Sequence, residues 1–164
     1  MIARIRKSIE NKEEGFTLIE LLVVMIIIGI LAAIAIPTFL NQRKNGYNSA
    51  AKTDLGNVAL AFESAAVDQG GDFTKLFATG KGLAADTVAT NGVLTTATFS
   101  TTAKPEFTGT QNVNLTLGAA VTATSFCIYA ENQSNTGTFW VYSKAKGGLQ
   151  PTSYTSTTAA AAAC

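Results

Sequence analysis

The stretch that decides the fold runs from Gly15 to Pro37 and reads GFTLIELLVVMIIIGILAAIAIP. Counted as helix, residues 16–36 span about 31 Å at 1.5 Å per residue, which matches a bilayer hydrocarbon core of about 30 Å. One carboxylate, Glu20, stands near the start of this apolar run. A carboxylate at the centre of a membrane helix costs roughly 2.5 to 3.5 kcal/mol on insertion scales, so it is kept where a partner or a function compensates for it. The stretch therefore predicts one membrane span in which Glu20 has a function.

A short polar segment, residues 1–15, precedes the span and is expected to be a processing segment that takes no part in the fold. It carries four of the 12 basic residues and three of the 11 acidic residues of the chain. Basic residues close to a span favour the cytoplasmic side of the membrane. We therefore expect a cytoplasmic N-terminus, with the bulk of the chain outside.

Two residues interrupt the apolar segment. Gly29 lies within it, and Pro37 ends its purely apolar character. Proline removes a backbone donor and crowds the preceding helical turn. The pair predicts a kink or a loosened stretch between Gly29 and Pro37.

Beyond Pro37, residues 38–164 have the composition of a globular domain. Residues 38–69 carry apolar side chains at spacings of three, four or seven, which predicts an amphipathic helix. This stripe consists of Leu40, Tyr47, Ala51, Leu55, Val58, Phe62 and Ala66. Because glycines weaken the helix, we expect it to depend on a sheet packed against the stripe.

The remainder of the domain divides into a connecting loop, residues 70–111, and a sheet with a C-terminal loop, residues 112–164. Within the connecting loop, the sequence indicates a short helix near residues 73–77 and a strand near residues 93–99. Alternating β-branched and aromatic residues predict three further strands, separated in part by a turn at 132–137. These strands cover residues 113–117, 125–131 and 138–143. The predicted class is α+β: a long N-terminal helix, apolar and then amphipathic, packed on a small antiparallel sheet.

Cys127 and Cys164 are the only cysteines, and Cys164 is the last residue of the sequence. In a domain outside the cytoplasm, such a pair is first interpreted as a disulfide. A bridge would turn the C-terminal tail into a fixed loop beside the sheet, at its C-terminal edge. The alternative is one buried thiol and one frayed terminal thiol.

The remaining composition argues against catalysis and against a cofactor. The chain contains no histidine, which removes the commonest general base and the commonest transition-metal ligand. Outside residues 1–15 the charges balance, with eight of each sign, so whole-domain charge does not favour nucleic acid, although local basic patches remain possible. Four carboxylates lack calcium-loop spacing and are expected on solvated faces. They are Asp54, Glu63, Asp68 and Asp72. One glycosylation triplet, Asn132-Gln133-Ser134, is present.

A secretory signal is the main alternative for the N-terminus. Ala33-Ile34-Ala35 fits the small-x-small cleavage rule, which would release a secreted binding protein after Ala35. The length of the apolar region, the charge of Glu20 and the helical pattern beyond Pro37 oppose it.

The junction also resembles a known family. The run from Gly15 to Val24, together with Gly29 and Pro37 downstream, is similar to the prepilin processing site and helix of type IV pilins and related pseudopilins. The resemblance implies that a membrane prepilin peptidase cuts between Gly15 and Phe16 and methylates the new amine of Phe16. Glycine fits there because backbone at a scissile bond must enter a narrow cleft.

The same resemblance implies the life cycle of the subunit. It would wait in the cytoplasmic membrane and then polymerise with identical copies, through assembly machinery, into an extracellular pilus for adhesion, twitching motility or DNA uptake. Glu20 would pair with the Phe16 amine of a neighbouring copy and measure axial register. The stretch from Gly29 to Pro37 would let the helix unwind under tension. A pseudopilin of a type II-like secretion system is the alternative.

Overall fold

A computed structural model of the chain describes residues 15–82, 85–95 and 98–164. The expected processing segment, apart from Gly15, lies outside these residues. Contacts divide the chain into two compact units, with the boundary between Gln42 and Arg43. One helix, α1, runs from Leu18 to Val67.

In the first unit, none of the described residues is buried. Its large apolar side chains up to Leu40 are between 45% exposed, at Val23, and 88% exposed, at Leu18. The helix contains an 18-residue window that is long and apolar enough to cross a membrane, and none of that window is buried. The predicted apolar helix is confirmed, and its side chains are left free to face lipid or another chain.

In the second unit, the remaining part of α1 buries one side. The buried apolar residues are Ala51, Leu55, Val58, Ala59, Phe62 and Ala66. They match the predicted stripe from Ala51 onward, whereas Leu40 is exposed and Tyr47 is half-buried. The stripe is buried only where the sheet lies against it, which is why its first two members stay outside the core.

Six antiparallel strands form one sheet in the order β2-β1-β3-β4-β5-β6. Their bounds are Thr87–Thr90 (β1), Val93–Leu94 (β2), Val113–Leu117 (β3), Cys127–Asn132 (β4), Phe139–Ser143 (β5) and Gly148–Leu149 (β6). A short 3-10 helix, Phe73–Leu76, precedes them. The α+β class and the three central strands are confirmed.

The first hairpin differs from the sequence prediction. β1 and β2 lie within residues 70–111, which we interpreted mainly as a connecting loop. They pair antiparallel across Asn91 and Gly92, whose φ angles are 51° and 73°. Asn-Gly with two positive φ angles is the preferred two-residue hairpin turn, and this dipeptide was the available signal.

Two apolar clusters occupy opposite sides of the sheet. The larger lies between α1 and the sheet, where the Phe62 ring contacts three other phenylalanine rings at centroid distances of 5.1 to 5.7 Å. The smaller comprises Cys127, Phe139, Val141 and Ala160. Ala160 belongs to a C-terminal helix, α2, Thr157–Ala162.

The C-terminal segment lies beside the sheet along the edge of β5 as far as Tyr154, as we expected, and then covers a face of the sheet with α2, which we did not predict. Tyr154 exchanges two backbone hydrogen bonds of 2.8 Å with Phe139 on β5. Ser156 then caps α2, since its hydroxyl accepts a hydrogen bond from the Ala159 amide at 3.1 Å. β5 is consequently buried on both faces, as the burial of the adjacent Trp140 and Val141 shows.

Candidate functional site

The polar-to-apolar junction is open to solvent. Gly15, Phe16 and Thr17 precede α1 without regular secondary structure. The Phe16 side chain is 82% exposed, and a Cβ added to Gly15 would meet nothing within 4 Å. The peptide bond between Gly15 and Phe16 is thus unobstructed by the described residues, as a protease substrate requires.

Thr17 and Glu20 form a reciprocal cap at the start of α1. The Glu20 carboxylate accepts hydrogen bonds from the Thr17 amide at 3.1 Å and the Thr17 hydroxyl at 3.0 Å. In return, the Glu20 amide donates to the Thr17 hydroxyl at 3.3 Å. This is the capping-box arrangement, which satisfies two backbone donors that a helix start otherwise leaves unpaired.

The cap supplies a partner for Glu20 that the sequence interpretation missed. We expected a partner or a function to compensate for Glu20, and the capping box supplies one partner. The signal was present, since a Thr followed three positions later by Glu ahead of an apolar run marks a helix start. Because Thr17 is a neutral partner, the cap does not neutralise the charge of the Glu20 carboxylate.

Gly29 and Pro37 both lie inside the continuous helix α1. Directly after Pro37, the Thr38 hydroxyl donates to the Ile34 carbonyl, one helical turn earlier, at 3.1 Å. A Cβ at Gly29 would meet nothing within 4 Å. The flexibility of this stretch therefore stays a prediction.

The two cysteines are joined. Their sulfur atoms are 2.03 Å apart and their Cα atoms 5.6 Å apart, so the disulfide prediction is confirmed. Two further bonds hold the tail: Ser143 Oγ donates to the Cys164 carbonyl at 3.3 Å, and Lys146 Nζ donates to the Ala163 carbonyl at 2.6 Å. The bridge thereby ties β4 to the end of the segment that covers the sheet.

Comparison with known proteins shows what the junction is similar to. Residues 11–36 match the prokaryotic N-terminal methylation motif. The type IV major pilin protein PilA of Myxococcus xanthus (strain DK1622) is 51% identical over 53 residues, 32% of this chain and 24% of that protein. The N-terminal region is similar to that of type IV pilins. The type IV major fimbrial protein FimA of Dichelobacter nodosus is 42% identical over 59 residues, 36% of this chain and 38% of that protein.

The pilin region is also shared with secretion systems. The type II secretion system core protein G of Pseudomonas aeruginosa is 37% identical over 58 residues, 35% of this chain and 41% of that protein. The chain spans about a quarter to two fifths of the length of these relatives. No solved structure gives a significant match. The similarity to these type IV pilins thus covers about the N-terminal third of the chain. The sheet domain is interpreted from its geometry alone.

Asp54 corrects one sequence expectation. We placed it on a solvated face, but it is only 2% exposed. Its carboxylate accepts hydrogen bonds from the Thr110 amide at 2.7 Å and the Thr110 hydroxyl at 3.1 Å. A buried carboxylate is retained where such bonds satisfy it, and here it fastens α1 to the segment before β3.

Asn132 of the glycosylation triplet is a structural residue. It is 4% exposed, and its side-chain oxygen accepts a hydrogen bond from the Ser134 amide at 2.9 Å. Glycosylation needs an accessible amide nitrogen on a surface loop, which argues against this site. Among the described residues, no group of three or more His, Cys, Asp or Glu is arranged to hold a metal ion.

Proposed function

We propose that this chain is the structural subunit of a type IV pilus-like filament. The observation that carries the proposal is an apolar helix exposed along its first half, which follows an accessible Gly15–Phe16 bond in a region similar to that of type IV pilins. Such a helix is stable in lipid and can exchange lipid contacts for packing against identical helices. The globular unit, stapled by a disulfide, suits an oxidising space outside the cytoplasm.

In this proposal, cleavage and assembly are chemically linked. Hydrolysis of the bond between Gly15 and Phe16 by a prepilin peptidase frees the Phe16 amine, and methylation leaves that amine basic. The amine can then pair with Glu20 of a neighbouring copy, where a matched pair recovers much of what a lone buried charge costs. The uncut chain has no amine at this position, so it cannot make the pair.

The mature N-terminus tests the proposal. We expect filaments sheared from cells that carry the peptidase and assembly machinery to contain a subunit that begins with N-methylated Phe16. Intact-mass and fragmentation spectra measure this directly. A secreted, monomeric product that begins at Ile36 would overturn the proposal in favour of a secreted binding protein released after Ala35.

A pseudopilin is the second candidate, favoured by the similarity to the secretion-system core protein. Both candidates share processing, so the discriminating quantity is how much of a surface fibre this chain forms. Immunogold labelling along the full length of long surface fibres supports the pilus subunit. Labelling only of short fibres made with an overproduced secretion system supports the pseudopilin.

We further propose that residues 29–37 act as the extensible part of the filament helix. Support comes from the weak helix formers Gly29 and Pro37 and from the absence of a side-chain neighbour within 4 Å of a Cβ at Gly29. Locally weak helix exchanges amide hydrogens faster than stable helix. Hydrogen exchange on assembled filaments should show faster exchange at 29–37 than at 20–28; equal protection would contradict the proposal.

A further inference from the structure

The helical part of the globular unit begins with two uncompensated cations. Arg43 and Lys44 are exposed, and burial against the sheet begins only at Ala51. Arg43 Nη2 donates to the Tyr47 hydroxyl at 2.6 Å, a neutral partner that holds the guanidinium in place. Within the described residues, the Lys44 side chain makes no hydrogen bond or ion pair.

The other end of the same helical part carries an uncompensated anion. Asp68 follows the last residue of α1 and is exposed, and its carboxylate has no hydrogen bond or ion pair in the part of the chain that the structure describes. The last turn of α1 contains no basic residue, so the negative end of the helix dipole adds to this charge.

The cations near this acidic end are already engaged. Lys75 Nζ donates to the Gln69 carbonyl at 3.2 Å. Lys144 forms an ion pair with Glu63 and lies 5.0 Å from the Phe73 ring centroid. Asp68 therefore remains the carboxylate at this end that is available to a cation from outside the chain.

The spacing of the two ends suits a repeating contact. Arg43 and Asp68 are 25 residues apart, which corresponds to about 38 Å along a helix and to about seven turns. A second copy that lies beside the first, parallel to it and displaced by about that length, would bring its basic end level with the acidic end of the first.

We propose that successive copies in a filament meet head to tail through Arg43 and Lys44 of one copy and Asp68 of the other. This inference rests on the proposed filament function. A head-to-tail contact uses two different surfaces, and because each copy is displaced along the axis, the contact propagates as an open helical array and not as a ring. Since exposed charge pairs are weak singly, the contact acts chiefly by selecting register, while the apolar helices supply the cohesion.

Charge reversal tests the pairing in the full chain, expressed with its peptidase and assembly machinery. The double variant Arg43→Glu/Lys44→Glu places like charges against Asp68, and we expect sheared filament protein to fall at least about tenfold. Asp68→Lys alone should lower it similarly. The triple combination should restore most of the yield because the charges are again complementary.

A matched control separates this effect from a general change of charge. Lys104 is exposed, and its side chain has no hydrogen bond or ion pair among the described residues. Lys104→Glu should leave the filament yield within about twofold of wild type. In every variant, the amount of processed subunit in membranes is also measured. This separates a lower amount of subunit from a failure of assembly.

A second measurement places the residues in contact. With no other substitution, the double variant Lys44→Cys/Asp68→Cys should give a ladder of covalent oligomers when filaments are oxidised. Each single-cysteine variant should give no covalent oligomer larger than a dimer. Wild-type filaments together with no ladder and no charge rescue would overturn the pairing alone. Failure of the wild-type chain to form filaments would overturn the proposed function instead.

Discussion

Glu20 combines two roles that one pair of substitutions can separate. Its carboxylate caps α1 through Thr17, and its charge is proposed to meet the Phe16 amine of a neighbour. Glutamine can replace glutamate in a capping box but carries no charge. Thr17→Ala removes the hydroxyl of the cap and leaves the charge in place.

We therefore predict that Glu20→Gln lowers filament yield more than tenfold, because a neutral amide gives up most of the charge pairing, worth several kcal/mol when buried. Thr17→Ala should lower it less, since losing a cap costs about 1 kcal/mol of helix stability. Quantifying sheared filaments and cleaved precursor for both variants checks this. Equal losses from the two variants would show that the cap, not the charge, is what assembly requires.

The residue scale also contains the clearest failure of sequence reasoning. Asp54 was expected in solvent, because a carboxylate in a helix is usually solvated and the partner, Thr110, lies 56 positions later in the chain. No local pattern connects the two. Glu20 is the opposite case, since its partner is three positions away and the motif is readable.

At the scale of the elements, the C-terminal segment depends on Gly118, where the sulfur of Cys164 comes close to the backbone. A Cβ added there would lie 2.1 Å from the sulfur of Cys164. Glycine is thus required directly after β3 because the disulfide passes over the backbone. The segment, the bridge and β3 form one packed unit.

We predict that Gly118→Ala destabilises the chain by about 1 to 3 kcal/mol, because the inserted methyl group must push the bridge aside. The free energy of unfolding, measured by denaturant titration in mild detergent without reductant, checks the value. Gly56→Ala is the matched control: it lies in α1 with open space around it, and it should stabilise by about 1 kcal/mol or less. An unchanged stability for Gly118→Ala would mean that the sulfur does not occupy this position.

Element boundaries followed the sequence where the pattern was periodic. β3 was predicted without error, and α1 begins and ends within two residues of its expected bounds. β2 lies at the start of the strand predicted near residues 93–99, whereas β1 and the hairpin were missed because the strands are short and the turn signal was not used. The face that α2 covers was not predicted for a different reason: a disulfide fixes which strand a tail reaches, but not which face of the sheet it covers.

At the scale of the whole molecule, all the buried residues that the structure describes lie in the globular unit. The buried residues of α1 begin at Ala51, and the boundary between the two units falls after Gln42. The stability of residues 43–164 should therefore be independent of the apolar half of the helix. A core with its own disulfide is what a domain needs in order to fold alone.

We predict that a fragment comprising residues 43–164 is soluble and folds cooperatively in water, whereas the full chain needs detergent because its apolar helix is exposed. Trp140 reports on folding, since it is 9% exposed and Lys52 Nζ lies 3.7 Å from its ring centroid. Near-ultraviolet circular dichroism and a single thermal transition check the prediction. A fragment that binds a hydrophobic dye and unfolds without a cooperative transition would show that the first half of α1 contributes to the core.

The sequence by itself determined those features that depend on neighbours along the chain. These are the apolar span, the carboxylate at its start, the amphipathic stripe and the central strands, since helical and strand periodicity are local properties. Only the tertiary structure decided which face the C-terminal segment covers, that Asp54 is buried against Thr110, and that Gly118 must lack a side chain. Each of these depends on distances between residues far apart in sequence, which only the packed sheet brings together.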